Sequence, residues 1–334
     1  MKIELLKYLE CPNCRATLRL AGREESANEL DDIEDGTLSC TECAAAFPIV
    51  RSLPRFVSSD NYAASFGFQW AKFPTLQLDS VMGNDLSRKR FYDCTRWPRE
   101  LPGERILEAG CGAGRFTEFA LESGAEVFSF DLSDAIDAAF ANHRNVSRLH
   151  VLQAGIYRLP FHKNLFDKIF CMGVLQHCPD PRQAFLSLVP FLRPGGTIVI
   201  DVYAKTRFPP PLKYWIRPIT RYFSPKVLYS VLSRVIPLAF EIKSYVSRAP
   251  AIGPRVAALI PIGPLSHAAI GLHYSDRELK QVKVLSAFDM LSPRYDQPQK
   301  IEDVRKWFEQ AGLVEVETRF GYNGINATGR RPLP

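Results

Sequence analysis

The chain has 334 residues, 46% of them apolar, and a net charge of +6. That length gives room for one large domain with additions and an ample core. No apolar run reaches the roughly 18 residues of a membrane span, and Met1-Lys2-Ile3-Glu4 opens a charged, amphipathic start rather than a signal peptide. The eight cysteines comprise two CxxC pairs and four scattered thiols, not a disulfide framework, so a cytoplasmic, reducing home is expected. Charge is unevenly placed: between Lys205 and Leu272 ten Lys/Arg stand against one acid, Glu241.

Cys11-Pro12-Asn13-Cys14 and Cys40-Thr41-Glu42-Cys43 have the knuckle spacing of a structural four-thiolate zinc site. Two thiolates two residues apart can face one tetrahedral ion, and a second knuckle closes its shell. A closed shell leaves no open coordination position, which makes the expected zinc structural. Redox pairs or unconnected thiols are the alternatives. With Leu6 to Pro12 and Phe47 to Pro54 around them, these cysteines resemble the Trm112-like zinc ribbon, expected over residues 1–57. In that family free-standing ribbons bind and stabilise methyltransferases, which implies either a docking module or a stabilising appendage.

The connector, 58–102, packs four aromatics into Ser65-Phe66-Gly67-Phe68-Gln69-Trp70-Ala71-Lys72-Phe73. Leu86 to Trp97 reads as a basic, partly amphipathic helix whose charges form a solvated face.

Next, the apolar strand Arg105-Ile106-Leu107 runs into Glu108-Ala109-Gly110-Cys111-Gly112-Ala113-Gly114-Arg115, and helical spacing resumes at Phe116. Glycines at such a turn let a ligand approach the main chain, and the next helix presents free N–H groups there. Asp131, ending the following apolar run, lies where such folds place an acid for ribose hydroxyls. The pattern E-x-G-x-G-x-G is not the dinucleotide fingerprint, because Arg115 replaces the third glycine. It resembles motif I of the class I methyltransferases that use S-adenosylmethionine. The resemblance implies a Rossmann-like doubly wound, mostly parallel seven-stranded sheet over 103–204 and 300–334. It also implies cofactor contacts at Glu108, Gly110, Cys111, Gly112, Gly114, Asp131, Leu132, Gly155, Ile156, Met172 and Gly173. The connector resembles the F-G-x-x-W-x-x-F segment that folds over the cofactor in this superfamily, with a core-packing helix as its alternative.

Arg148 to Ala154, Phe166 to Gly173 and Thr197 to Tyr203 read as further strands, with a helix from Arg182 to Leu192 behind an Asp180 N-cap. Family members usually carry an aspartate on the adenine amino group where this chain has Gly155. Phe166-Asp167-Lys168-Ile169 followed by Val174-Leu175-Gln176-His177 resembles the F-D-x-I…V-L-x-H motif of small-molecule methyltransferases. His177 is the candidate base, since imidazole titrates near neutrality; packing beside the cofactor is its other role. Cys111, Cys171 and Cys178 read as small apolar fillers. Glu302 to Ala311 reads as a helix, and Leu313 to Phe320 with Ile325 to Gly329 as a closing strand pair.

The remaining stretch, 205–299, is a basic, aromatic helical insertion expected to act as a lid on the acceptor pocket. Basic charge with exposed apolar faces suits an anionic, partly greasy acceptor or peripheral contact with the inner face of a membrane; a helical cap whose apolar faces bury each other is the alternative. Phe288 to Asp296 resembles a D-x-x-S-P-x-Y-D segment of methyltransferases from glycan and secondary-metabolite pathways. His273, Tyr295 and Asp296 are therefore candidate pocket groups, or else turn formers. Methyl transfer to a small-molecule, glycan or lipid-linked acceptor is the expected activity. An RNA-base methyltransferase, whose nucleic-acid partner the missing N-P-P-Y-like tetrapeptide disfavours, and a non-catalytic scaffold are the alternatives.

Overall fold

Four short strands, β1 (Leu18–Leu20), β2 (Gly36–Cys40), β3 (Ala46–Val50) and β4 (Leu53–Pro54), form an antiparallel sheet in sequence order. In the computed structural model, which describes residues 1–21, 32–205, 212–249, 252–262 and 274–334, β3 buries Phe47 and Ile49 and exposes Ala46, Pro48 and Val50. That alternation is the signature of a strand with one covered face. Helices α1 (Ala64–Lys72), α2 (Asp79–Met82) and α3 (Leu86–Thr95) lead from this sheet to the main one.

The main sheet contains β5 (Arg105–Ala109), β6 (Glu126–Asp131), β7 (Leu149–Gln153), β8 (Phe166–Met172), β9 (Leu192–Val202), β10 (Val314–Gly321) and β11 (Gly324–Arg330). Its order is β10-β11-β9-β8-β5-β6-β7. The five strands from β9 to β7 are parallel, and β11 pairs antiparallel with both β9 and β10. This is the doubly wound, mostly parallel seven-stranded fold expected from the sequence. The apolar runs are continuous, because strands between two helical layers are covered on both faces; all five residues of β7 are buried.

Helices α4 (Thr117–Glu122), α5 (Ala135–His143), α6 (Pro181–Leu188) and α11 (Ile301–Gln310) belong to the same unit. Asp180 accepts a hydrogen bond from Gln183 N at 2.9 Å and so caps α6. That helix stops at Leu188 rather than Leu192, where Pro190 can donate no backbone N–H. β9 correspondingly starts early, and Gly195 and Gly196 pair their main chain with Arg331. α11 turns Val304, Trp307 and Phe308 inward, stacking Phe308 on Phe185 at 4.4 Å.

The ribbon and the main sheet share one hydrophobic core. Leu5, Tyr8, Leu9, Leu38 and Phe47 cluster with Phe128, Phe161 and Phe166. Polar ties reinforce it: Lys2 Nζ donates to Val146 O and Leu149 O, and Arg15 Nη1 to Leu159 O.

A second unit, Phe208–Arg294, is helical: α7 (Lys213–Thr220), α8 (Pro225–Ser247), α9 (Gly253–Ala258) and α10 (Asp276–Leu291). α8 begins at Pro225 because Ser224 caps it, accepting from Val227 N, and a first-turn proline gives up no needed donor. Ser275 and Glu278 form a reciprocal capping box on α10. Among the described residues no helix is long and apolar enough to cross a membrane.

Candidate functional site

β5 ends in Glu108 and Ala109, and the chain then turns through three glycines before α4. Gly110 and Gly112 hold left-handed φ of +79° and +55°, which glycine adopts without steric cost. A Cβ at Gly110 would stand 2.5 Å from Val174 Cγ2, and one at Gly112 would stand 3.0 Å from Trp70 Nε1. Backbone and neighbours both demand glycine there. Asp131, at the end of the adjacent β6, accepts from Gly112 N at 3.0 Å and from the Ser133 amide and hydroxyl at 2.8 and 2.7 Å. A carboxylate offers about four acceptor positions, so three donors leave room for a ligand hydroxyl.

The connector packs on these loops. Trp70 projects from α1 to Gly112, Gly67 approaches Asp134 N, and Asn61 Nδ2 donates to Leu132 O at 3.0 Å. Beyond β7, Ile156 is buried, and a Cβ on Gly155 would meet Val57 and Leu132 at 3.6 and 3.7 Å, ordinary van der Waals contact. Met172 is buried at the end of β8 and Gly173 follows with left-handed φ. Cys111, at 5% exposure, and the fully buried Cys171 have thiols pushed well up by burial, and burial raises Cys178 to about 12; none is poised as a nucleophile.

His177 lies next along the chain. Its Nδ1 is 2.9 Å from Tyr295 O, and a carbonyl can only accept, so Nδ1 carries the proton and Nε2 is the basic nitrogen. Phe66 and Tyr203 hold the ring edge-on at 5.0 and 5.5 Å, and Tyr62 packs on Tyr295. Gln297 ties the Tyr295–Gln299 stretch back to Gln176 O and Cys178 O, which sets Asp296 on the segment beside His177. His177, Tyr295 and Asp296 thus come from one neighbourhood, while His273 lies outside the described residues.

Residues 107–200 match the methyltransferase domain family, and residues 2–52 match the Trm112p-like protein family. The chain carries a methyltransferase domain behind a Trm112-like ribbon. A ubiquinone biosynthesis O-methyltransferase of Xanthomonas campestris pv. campestris (strain B100) is 33% identical over 116 residues, 32% of this chain and 46% of that protein. The corresponding protein of Xylella fastidiosa (strain 9a5c) is 34% identical over 116 residues, covering 32% and 44%. The chain therefore spans less than half the length of these relatives. Among solved structures, the complex between the Haloferax volcanii Trm112 methyltransferase activator and the putative methyltransferase aligns at TM-score 0.46 and 14% identity, covering 80% of this chain and 97% of that one. That likeness is too weak to bear on the assignment.

Ahead of the methyltransferase domain, Cys11, Cys14, Cys40 and Cys43 bring four sulfurs within 4.8 Å of one another. The closest pairs, Cys14–Cys40 and Cys11–Cys43, are 3.4 and 3.6 Å apart. Thiolates about 2.3 Å from a tetrahedral zinc stand at comparable mutual distances, so the four residues fit such an ion. Cys14 and Cys43 are exposed, Cys11 and Cys40 buried.

Three polar residues of the first unit escape sequence reasoning. Arg90, on the helix read as a solvated basic face, is buried and grips Asp201 of β9 through Nε and Nη2 at 3.3 and 3.1 Å. Asn323, between β10 and β11, donates to the same carboxylate at 2.8 Å. Their pairing joins residues more than a hundred positions apart, which no local pattern announces. Gln176 is the third; its carboxamide nitrogen and oxygen are both buried with no hydrogen-bond partner among the described residues.

Glu108 is buried and accepts from Thr117 and Ser129 at 2.5 and 2.8 Å. Burial dominates and raises its pKa from 4.5 to about 7. Between those values the native carboxyl keeps its proton while the unfolded one ionises, so stability falls as pH rises through the window and levels off above it. The lost stability is about 3 kcal/mol. Urea titrations of cofactor-free Glu108→Gln protein are expected to lack that decline; parallel pH profiles for variant and parent would contradict the assignment.

Proposed function

We propose that the chain transfers a methyl group from S-adenosylmethionine to a small-molecule acceptor, presented in lipid-linked form. The observation that carries this reading is the glycine loop after β5, with the Asp131 carboxylate beside it in a matched methyltransferase domain. The bound cofactor supplies an already activated sulfonium methyl. The main chain at Gly110, Gly112 and Gly114 holds it, Asp131 takes its ribose, and Glu108, Cys111, Leu132, Gly155, Ile156, Met172 and Gly173 line the remainder of its site. Trp70 and the connector exclude water from above the loop. Alignment of two reactants in this way lowers a barrier by roughly 7–11 kcal/mol.

The relatives named above are O-methyltransferases, and a hydroxyl acceptor must lose its proton during transfer. His177 Nε2 takes that proton, with Nδ1–H anchored on Tyr295 O; Tyr295 and Asp296 orient the acceptor. The ribbon holds a structural zinc and stabilises the domain, in a reducing compartment at the inner face of a membrane.

Calorimetric titration with S-adenosylmethionine tests the reading. Saturable binding is expected within about 1 μM to 1 mM, the usual range for enzyme substrates, together with label transfer from the cofactor to a phenolic or lipid-extract acceptor. Gly155→Asp, whose Cβ would make only ordinary van der Waals contacts, should tighten binding about tenfold by restoring one charge-assisted hydrogen bond to the adenine amino group. No heat and no thermal shift at millimolar cofactor would overturn the proposal.

A further inference from the structure

The second unit wears its apolar residues on the outside. On α7, Trp215 and Ile219 are each 66% exposed, while Arg217 and Thr220 are buried at 6% and 8%. The buried pair is fully engaged: Arg217 donates to Met290 O at 2.9 Å and Pro293 O at 2.8 Å, and Thr220 to Leu291 O at 3.0 Å. Met290 and Leu291 lie in the last turn of α10, where helix carbonyls lack internal partners, and Pro293 follows just beyond it. The amphipathic helix is thus anchored by its polar side, and Tyr222, at 74% exposure, extends the outward row.

α8 repeats the arrangement on a longer helix. Val227, Val231, Val235, Leu238, Ile242 and Tyr245 recur every three or four residues and are all exposed, so they form one stripe. Leu228, Leu232 and Phe240 bury the opposite side. Along one flank of the stripe stand the exposed Lys226, Arg234 and Arg248. Glu241 is the single acid of the helix, and it pairs with Lys280. The unit carries twelve Lys/Arg against four acids.

We propose that the exposed rows of α7 and α8 dock this unit on an anionic lipid bilayer. The apolar rows enter the boundary between headgroups and acyl chains, and the flanking cations meet lipid phosphates. Charge decides among occupants: a second copy would bring the same cationic excess to the same surface, whereas an anionic bilayer offers the opposite sign and an apolar interior together. Trp215, Tyr222 and Tyr245 are of the aromatic type that favours that boundary. Since no described helix can span a membrane, the contact is peripheral. The docking surface lies outside the glycine loop, so vesicle binding and cofactor binding fail independently.

Co-sedimentation of the full chain with vesicles tests the inference. The protein is expected to pellet with phosphatidylcholine vesicles containing phosphatidylglycerol, to remain in solution with phosphatidylcholine alone, and to detach as salt rises. The double variant Trp215→Ser, Ile219→Ser should lose partitioning by at least about tenfold while its cofactor-induced thermal shift stays at the parental value. Absence of pelleting with either vesicle, or equal pelleting of parent and variant, would overturn it. So would a parental dimer that the double variant dissolves, because the rows would then face another copy.

Discussion

Gly112→Leu leaves the protein folded and removes its response to S-adenosylmethionine. A non-glycine residue in the left-handed region costs about 1–2 kcal/mol, which a domain with this much buried apolar surface tolerates. The larger effect is occupancy. A Cβ at this position already stands 3.0 Å from the Trp70 indole, so the rest of a leucine side chain must take the space that bare main chain offers to a ligand. Cofactor affinity is expected to fall at least about a hundredfold, or some 2.7 kcal/mol, with unchanged far-ultraviolet circular dichroism. Gly103→Ala is the matched control: φ there is +78° and no atom of the described residues lies within 4 Å of the added Cβ. It carries the same backbone strain and should bind normally. Normal binding by Gly112→Leu would sink the assignment of the loop.

Stripping metal from the ribbon should lower the melting temperature of the entire first unit. Zinc-ribbon thiolates hold their loops only through the ion, and binding contributes about 10–16 kcal/mol in isolated zinc-finger peptides. Here the ribbon's Leu5, Tyr8 and Leu38 sit in the same core as Phe128 and Phe166, so the loss cannot stay local. A shift of about 10 °C or more is expected on chelation and in Cys14→Ser or Cys43→Ser. Elemental analysis should find one zinc per chain in the parent and little in the variants. Metal-free protein with an unaltered melting curve would refute the structural role.

The main sheet was legible because buried strands and their crossover helices write themselves locally. Continuous apolar runs mark β5 to β8, the 3.6-residue period marks α11, and the turns between them carry Asp180-Pro181 and the glycine triad. The two knuckles were equally plain, since four thiols at that spacing can converge on one ion. Helix ends were read less well. α6 stops at Leu188 rather than Leu192, decided by the backbone donor that Pro190 lacks rather than by periodicity. The sign of a helical face was not legible at all. Arg90 reads as solvated and is buried; the sequence left open whether the insertion's apolar faces bury each other or stay exposed, and Trp215 and Ile219 are exposed.

The amino-acid order by itself determined the doubly wound sheet, the glycine loop with its neighbouring acid and the four-cysteine cluster, because each depends on residues close in the chain or on fixed spacing. Only the tertiary structure decided that Arg90 and Asn323 converge on Asp201, that His177 is anchored on Tyr295, and that the second unit turns its apolar rows outward. Those outcomes depend on which distant groups supply hydrogen bonds to a buried charge, and on which face of a helix finds a partner. A linear pattern shows that a helix has two faces; the energy of satisfying its buried polar groups chooses the inner one.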